Sequence, residues 1–114
     1  DAAARGLRDG DVVRVFNDRG SCLAGLVVDE RLRERVVQLS TGAWYDPLDP
    51  SDPGSMCVHG NPNVLTADRG TSSLAQGSTG QHVLVDVEKW TGELPPIRAH
   101  DQPEFVDRGD VRQK

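Results

Sequence analysis

The residues best suited to chemistry are concentrated in one polar stretch, residues 57–77, which reads CVHGNPNVLTADRGTSSLAQG. The stretch has no helical or strand periodicity, and it is nearly neutral, whereas disordered segments usually carry a high net charge. A loop of about twenty residues inside a compact chain is usually either functional or disordered. We therefore predict an ordered loop whose amides and hydroxyls face a ligand. Its polar side chains include His59, Asn61, Asn63, Thr66, Asp68, Thr71, Ser72 and Gln76.

Metal binding and nucleophilic catalysis are poorly supported by this stretch. A zinc site needs three or four ligands at characteristic spacings, and only the distant Cys22, His82 and His100 could join Cys57 and His59. A thiolate at Cys57 would need a base and an orienting group within reach, but residues two apart seldom face each other in an extended loop. No serine lies in a GxSxG motif. We predict neither a catalytic residue nor a metal ligand in this chain.

A second polar segment, residues 46–54, contains three Asp-Pro pairs, which begin at Asp46, Asp49 and Asp52. Carboxylates in series suit calcium, but this segment lacks the glycine and the terminal glutamate of an EF-hand loop. Each proline fixes its own φ and favours an extended conformation in the residue before it. The segment is therefore predicted to be a stiff, solvated surface loop.

Recognition by hydrogen bonding is the chemistry that remains. Asn61, Asn63 and Gln76 each carry donors and an acceptor in one planar amide, which suits the edge of a heterocycle. Asp68 can accept from two parallel N–H donors of a guanine-like edge, or Asp68 and Asn63 can simply cap local turns. Hydroxyls and backbone amides near glycine suit phosphates. The candidates for a phosphate are Thr66, Arg69, Gly70, Thr71 and Ser72.

Composition limits the class of protein. A chain of 114 residues suits one domain with a modest core, and its hydrophobic content of 36% is low. A net charge of −5 argues against a nucleic-acid surface, and no apolar run is long enough to span a membrane. Cys22 and Cys57 can form one disulfide, but they lack CxxC spacing and no signal peptide is visible. We therefore predict a reduced pair in a cytoplasmic protein.

Strands and one hairpin must position the polar stretch. Val13 and Val15 are expected to share one side of the first strand with Leu7. The sequence Asn17-Asp18-Arg19-Gly20 predicts a tight turn between the first two strands, and Gly25 predicts a bulge in the second. The apolar patterns predict four strands, at residues 11–16, 22–28, 36–39 and 81–90.

Helical turns and irregular segments complete the predicted architecture. Asp1 is a predicted N-cap for a helical turn that Gly6 ends, and another helical turn is predicted to end at Gly77. The Pro-rich end of the chain is predicted to be an extended, partly disordered C-terminal tail. The predicted segments are helical turns at residues 2–5 and 72–76, a turn at 29–35, a mainly β domain at 1–90 and the tail at 91–114.

Two long motifs give the chain a specific family resemblance. They are LSTGAWYDP, which begins at Leu39, and HGNPNVLTADRGTSSLAQG, which begins at His59; the opening AAARGLRDGDVVRVFNDRGSCLAGLVV is shared more widely. The combination resembles the C-terminal cofactor-binding domain of the dimethyl sulfoxide reductase family of molybdenum enzymes. Within the family it resembles the biotin sulfoxide, trimethylamine N-oxide and dimethyl sulfoxide reductases, and biotin sulfoxide reductase most closely. The resemblance covers residues 1–90, with a weaker match in PPIRAHDQPE.

The resemblance implies a six-stranded double-psi β-barrel with one or two short helices, whose first strand would precede Asp1. It implies a cofactor of two molybdopterin guanine dinucleotides that hold one molybdenum and are shared with other domains. Those domains would supply the serine metal ligand, most of the substrate funnel and most guanine contacts. A guanine contact of Asp68 is therefore less favoured than a turn-capping role. The cofactor-binding residues that it implies are Ser40, Thr41, Gly42, Trp44, His59, Asn61, Asn63, Gln76 and Gly77.

The leading hypothesis is the cofactor-binding domain of a molybdenum oxidoreductase that reduces S-oxides or N-oxides by oxygen-atom transfer. Its partners would be the remaining domains of the parent reductase, with no nucleic acid and no membrane insertion, and the isolated piece is predicted to be inactive. The cytoplasm is the predicted location, with the periplasm open for the parent enzyme. The alternative is a stand-alone β-barrel module that binds a protein partner without catalytic activity.

Overall fold

The chain is built around one antiparallel sheet in the computed structural model, which describes residues 1–77 and 82–109. Strand β1 (Val12–Phe16) lies between β2 (Ser21–Gly25) and β3 (Asp86–Lys89). The predicted hairpin of the first two strands is confirmed, and β3 adds to the other edge of β1. Two distant parts of the sequence therefore meet in this sheet.

The strands are shorter than the sequence patterns predict. β2 ends at Gly25, and its pairing with β1 continues to that residue without the predicted bulge. β3 begins at Asp86, although the pattern predicts a strand from Gln81, which lies outside the described residues. The predicted strand at residues 36–39 is wrong, because these residues pair with no described strand and Val37 is 56% exposed. An apolar run becomes a strand only where a neighbour offers backbone partners.

Two short segments extend the sheet beyond β2. Cys57 forms an isolated parallel bridge with Cys22, and Pro47 forms an antiparallel bridge with Cys57. The N–H of Leu23 donates to the carbonyl of Cys57, and the N–H of Cys57 donates to the carbonyl of Ser21, both at 3.0 Å. The prediction of a mainly β chain is confirmed for the described residues, and the six-stranded double-psi barrel stays a prediction.

The structure contains two short 3-10 helices among its described residues, Ala3–Arg5 and Pro62–Leu65. The first was predicted, and Gly6 ends it with a left-handed φ of 68°. Its predicted N-cap is wrong: Asp1 does not cap the helix, and its carboxylate accepts a hydrogen bond from the N–H of Arg35 at 2.6 Å. Arg35 lies in the turn at residues 29–35, which is confirmed.

The predicted helical turn at residues 72–76 is also wrong. The hydroxyl of Ser72 accepts hydrogen bonds from the N–H groups of Leu74 and Ala75, at 3.2 and 3.0 Å. A serine hydroxyl that takes backbone donors in this way offers the chain an alternative to a helix. The segment is therefore a turn held by its own side chain.

A small core lies on one side of the sheet. Val13 and Val15 face it together with Leu7, as the alternation in β1 predicts. Cys22, Cys57 and Leu65 complete the buried cluster. Both cysteines are free and fully buried. Burial, with the neighbouring Cys57 thiol as a smaller cause, raises the pKa of the Cys22 thiol from 9.0 to about 11, so that thiol stays protonated and unreactive.

The turn of the hairpin fastens the sheet to the polar loop. The side-chain amide of Asn17 donates to the carbonyl of Leu65 at 2.9 Å and to that of Leu84 at 3.1 Å. Gly20 comes so close to the second 3-10 helix that an added Cβ would lie 2.6 Å from the carbonyl oxygen of Val64. Only glycine fits this contact without movement of the backbone. The hairpin therefore fixes where the polar loop leaves the sheet.

Candidate cofactor-binding site

The site begins where two polar segments are pinned together beside the sheet. The N–H of Val58 donates to the carbonyl of Asp46, and the N–H of Leu48 donates to that of Met56, both at 2.8 Å. This short antiparallel pairing brings the residues just before Asp46 next to those just after Val58. The motifs around Trp44 and His59 are far apart in sequence, but the pairing makes them neighbours.

A sharp turn then directs the chain into the polar loop. Gly60 is buried and has a φ of 81°, and an added Cβ would lie 3.1 Å from the carbonyl oxygen of Leu23. A side chain at this position would meet both backbone strain and a close contact. Gly60 is thus the residue that lets the chain turn from the bridge at Cys57 to Asn61.

The second 3-10 helix forms because its N-cap residue and its first residue favour a helix start. The Oδ1 atom of Asn61 accepts from the N–H of Asn63 at 2.9 Å, and Pro62 occupies the first helical turn. Asn at the N-cap followed by Pro is a known helix-start pattern, so the sequence contained the signal for this helix. Thr66 closes the turn, because its hydroxyl donates to the carbonyl of Asn63 at 3.1 Å.

The two segments enclose an open pocket of about 540 Å³. One wall comes from the residues before Asp46 and the other from the start of the second 3-10 helix. The lining residues are Thr41, Gly42, Ala43, Trp44, Tyr45, Asn61, Pro62 and Asn63. Five of the nine predicted cofactor-binding residues are therefore brought together, namely Thr41, Gly42, Trp44, Asn61 and Asn63.

His59 and Ser40 lie next to the pocket without lining it. The Nδ1 atom of His59 is 3.1 Å from the carbonyl oxygen of Trp44. Because a carbonyl only accepts, Nδ1 carries the hydrogen in this contact. Ser40 is exposed and precedes the lining residue Thr41. A cofactor contact of either side chain stays a prediction.

Gln76 and Gly77 belong to a separate turn. The side-chain amide of Gln76 donates to the carbonyl of Ser72 at 2.9 Å. The Thr71 hydroxyl accepts from the N–H of Gly77 and donates to its carbonyl. These hydroxyls and amides hold the loop to itself, and the cofactor contacts of Gln76 and Gly77 also stay predictions. Asp68 is exposed and accepts no hydrogen bond from residues 1–77 or 82–109, so the turn-capping role is not seen.

The pocket has the chemistry of a heterocycle or phosphate site. Its lining contains no charged side chain, so no carboxylate would repel a phosphate. Asn61 uses its oxygen for the helix cap, which leaves its two amide donors directed away from that bond. The rings of Trp44 and Tyr45 offer flat apolar surfaces. The volume lies in the ordinary range of about 300–1,000 Å³ for a small-molecule site.

The acidic segment at residues 46–54 divides into two parts. Asp49 and Asp52 are exposed and hold local turns, as a solvated loop predicts. Hydrogen bonds from Ser51 hold the pKa of the Asp49 carboxyl below its ordinary value. Asp46 departs from the prediction, because it is only 6% exposed. Its Oδ2 atom accepts from the N–H groups of Arg98 and Ala99, at 2.6 and 2.9 Å.

The Asp46 contact brings the C-terminal tail to the pocket, and sequence reasoning missed this. His100 follows the clamped residues, and its ring lies 4.9 Å from His59 and 6.1 Å from Trp44, measured between ring centroids. Asp46 has the same Asp-Pro context as Asp49 and Asp52, so the local sequence held no signal for its burial. The boundary between domain and tail at residue 90 stays a prediction, and residues 110–114 lie outside the described part.

Two further searches concern the described residues only. In residues 1–77 and 82–109, no three His, Cys, Asp or Glu side chains are grouped so that they could hold a metal ion. Within the same ranges, no helix has the length and apolarity needed to cross a membrane.

Comparison with known proteins identifies the class. The model of the family described as "Molydopterin dinucleotide binding domain" matches residues 1–84, and the chain belongs to this family. The pocket therefore lies in a domain whose family is defined by binding of a molybdopterin dinucleotide.

Comparison with individual relatives shows which members of the family the chain is similar to. The chain is 56% identical over 107 residues to the dimethyl sulfoxide/trimethylamine N-oxide reductase of Rhodobacter capsulatus, which covers 94% of this chain and 13% of that protein. It is 52% identical over 103 residues to the enzyme of that name from Cereibacter sphaeroides, with 90% and 12% covered. Trimethylamine-N-oxide reductase 1 of Escherichia coli K12 is 53% identical over 97 residues, with 85% and 11% covered. The chain thus spans about an eighth of these relatives.

Proposed function

We propose that this chain is the cofactor-binding domain of a larger molybdenum oxidoreductase that reduces S-oxides or N-oxides. One observation carries the proposal: residues 41–45 and 61–63, from the two most specific motifs, form a single pocket in a chain that belongs to the molybdopterin dinucleotide family. The names of its relatives, which it matches at about half identity, supply the substrate class.

The residues of the pocket bind and orient one part of the cofactor. The amides of Asn61 and Asn63 donate to a heterocycle edge or a phosphate, and the hydroxyl of Thr41 adds a neutral hydrogen bond. The Trp44 and Tyr45 rings cover an apolar face and exclude water from it. When bound, the bis(molybdopterin guanine dinucleotide) molybdenum group supplies two-electron oxygen-atom transfer. This chain supplies no metal ligand and no catalytic residue.

The rest of the proposal concerns the parent protein. The remaining domains of the reductase hold the other parts of the cofactor and the substrate, so the 114-residue piece alone is inactive. The double-psi barrel would close with strands from that larger protein, and residues 36–39 would then gain a partner. The alternative of a stand-alone interaction module is less favoured, since each relative carries the matched segment within a much longer chain. The narrower likeness to biotin sulfoxide reductase and the cytoplasmic location stay predictions.

The cofactor content of the parent enzyme tests the proposal. We would purify the full-length protein and measure molybdenum and guanine per polypeptide after gel filtration. Asn63→Ala and Thr41→Val should each lower both quantities, because each removes a donor from the pocket wall. Thr91→Val is a matched control, since Thr91 is exposed and lies outside the pocket.

Three results would contradict different parts of the proposal. A wild-type protein without molybdenum and guanine would overturn the proposal. Equal cofactor content in Thr41→Val, Asn63→Ala and Thr91→Val would show that the cofactor is held elsewhere in the parent enzyme. Sulfoxide reduction by the isolated 114-residue chain would contradict the assignment of catalysis to the other domains.

A further inference from the structure

The C-terminal segment is held beside the candidate site by a buried carboxylate. Oδ2 of Asp46 accepts from two consecutive N–H groups, those of Arg98 and Ala99. The next turn closes with a 3.0 Å hydrogen bond from the N–H of Asp101 to the carbonyl of Arg98. His100 therefore lies in a backbone turn that is held on both sides.

This turn places the His100 ring against two site residues at once. The ring meets His59 edge-on, with an angle of 83° between the planes, and it meets Trp44 at a tilt of 43°. His59 in turn contacts the carbonyl of Trp44. Each of Trp44, His59 and His100 contacts the other two, so a movement of His100 would change the surroundings of both Trp44 and His59.

Trp44 gains from such support because it is largely exposed. It is 67% exposed, and it is one of the residues that line the pocket. An exposed indole can adopt several rotamers. A ligand that binds only one of them therefore loses the entropy of the other rotamers when it binds. A ring packed beside the indole reduces that cost before the ligand arrives.

We propose that His100 is a positioning residue of the cofactor site, which holds the Trp44 indole in the orientation that lines the pocket. The inference rests on the proposed function, because the pocket is the one assigned there to the molybdopterin dinucleotide. Its ligand at this wall is a fused-ring heterocycle, the group that a fixed indole face suits best. The C-terminal tail is therefore part of the site, although its sequence shows no binding motif.

A purely structural role of His100 would predict that its removal lowers the stability of the fold. His100 is exposed, so its removal opens no cavity and should leave the stability of the fold almost unchanged. An effect on Trp44 and on cofactor retention, without an effect on unfolding, is the signature of positioning.

The experiment uses the full-length parent reductase labelled with 5-fluorotryptophan. The fluorine resonance of Trp44 is assigned by its loss in Trp44→Phe. We expect His100→Ala to shift and broaden this resonance while the Trp90 resonance stays unchanged, and we expect guanine retained after dialysis to fall severalfold. His100→Phe restores a ring and should recover both values. Gln102→Ala, an exposed change two residues away, is the control and should match wild type.

The results decide the inference independently of the proposed function. An unchanged Trp44 resonance in His100→Ala overturns it, and so does a failure of His100→Phe to restore retention. If the wild-type enzyme holds no guanine nucleotide, the proposed function fails, while the fluorine shift in the cofactor-free protein still decides whether His100 orients Trp44.

Discussion

The core packed on the sheet and the later part of the polar loop, residues 66–77, are held together in opposite ways. Around β1 and β2, buried side chains such as Val13 and Leu65 pack on one another across long sequence distances. In residues 66–77, hydroxyls and amides bond to backbone groups only a few positions away, and every residue from Asp68 to Gly77 is exposed. The first region is stable by burial, and the second is shaped locally and lacks a cover among the described residues.

This difference separates folding from binding. Burial of apolar surface is the main favourable term in folding, so the sheet region should carry most of the stability. A loop bonded to itself contributes little free energy, but it can offer donors to a ligand in a defined arrangement. Its exposure agrees with the proposal that the rest of a larger enzyme and its cofactor cover it.

Truncation of Leu65 should give the largest effect. Leu65 is 3% exposed in the core cluster, and Leu→Ala changes at such sites cost about 2–5 kcal/mol. Urea denaturation would measure the loss in free energy of unfolding. Leu74→Ala is the matched control, because Leu74 is 96% exposed and should change stability by less than about 0.5 kcal/mol. Equal losses in the two variants would break the contrast between sheet and loop.

The link between the two regions predicts the next effect. Gly20→Ala places a Cβ 2.6 Å from the carbonyl oxygen of Val64, so the hairpin and the second 3-10 helix must move apart. Such overpacking costs about 1–3 kcal/mol. Gly25→Ala is the control, since its added Cβ would meet no atom within 4 Å. A Gly20→Ala protein as stable as Gly25→Ala would show that the link between hairpin and loop is soft.

Cys22 makes the core sensitive to high pH. Its pKa is raised from 9.0 to about 11 by burial and by Cys57, so the unfolded chain releases this proton at a lower pH than the folded chain. The contribution of the protonated Cys22 thiol to the free energy of unfolding is therefore fully present below about pH 9, and it is lost as the pH rises towards about 11. Urea midpoints across this range should fall more steeply for wild type than for Cys22→Ala. Parallel curves would place the Cys22 thiol in contact with solvent.

Sequence patterns predicted what local physics determines. The alternation in β1 and the turn at residues 17–20 identified the hairpin, because both signals lie within about ten residues. The strand predicted at residues 36–39 has the same kind of apolar run, but no described strand lies beside it. β-structure depends on a partner, and a run of valines cannot say whether the partner is present.

The residues of the site could be predicted from the sequence, but the long-range contacts that bring them together could not. Thr41, Trp44, Asn61 and Asn63 were named from motifs, and the pairing of Asp46 with Val58 brought them together. That pairing and the clamp from Asp46 to the tail are long-range contacts between residues with ordinary local sequences. His100 therefore looked like part of a free tail until the structure placed its ring beside Trp44.

The smallest effect should come from the loop itself. Ser72→Ala removes the hydroxyl that accepts from the N–H groups of Leu74 and Ala75, but the segment is exposed and buries no apolar surface. We expect the free energy of unfolding to change by less than about 0.5 kcal/mol. Amide exchange in residues 72–77 should speed up nonetheless, which mass spectrometry of that peptide would show. Ser73→Ala, which removes no hydrogen bond among the described residues, is the control. A large loss of global stability in Ser72→Ala, but not in Ser73→Ala, would mean that the loop is coupled to the core and that the two regions are one unit.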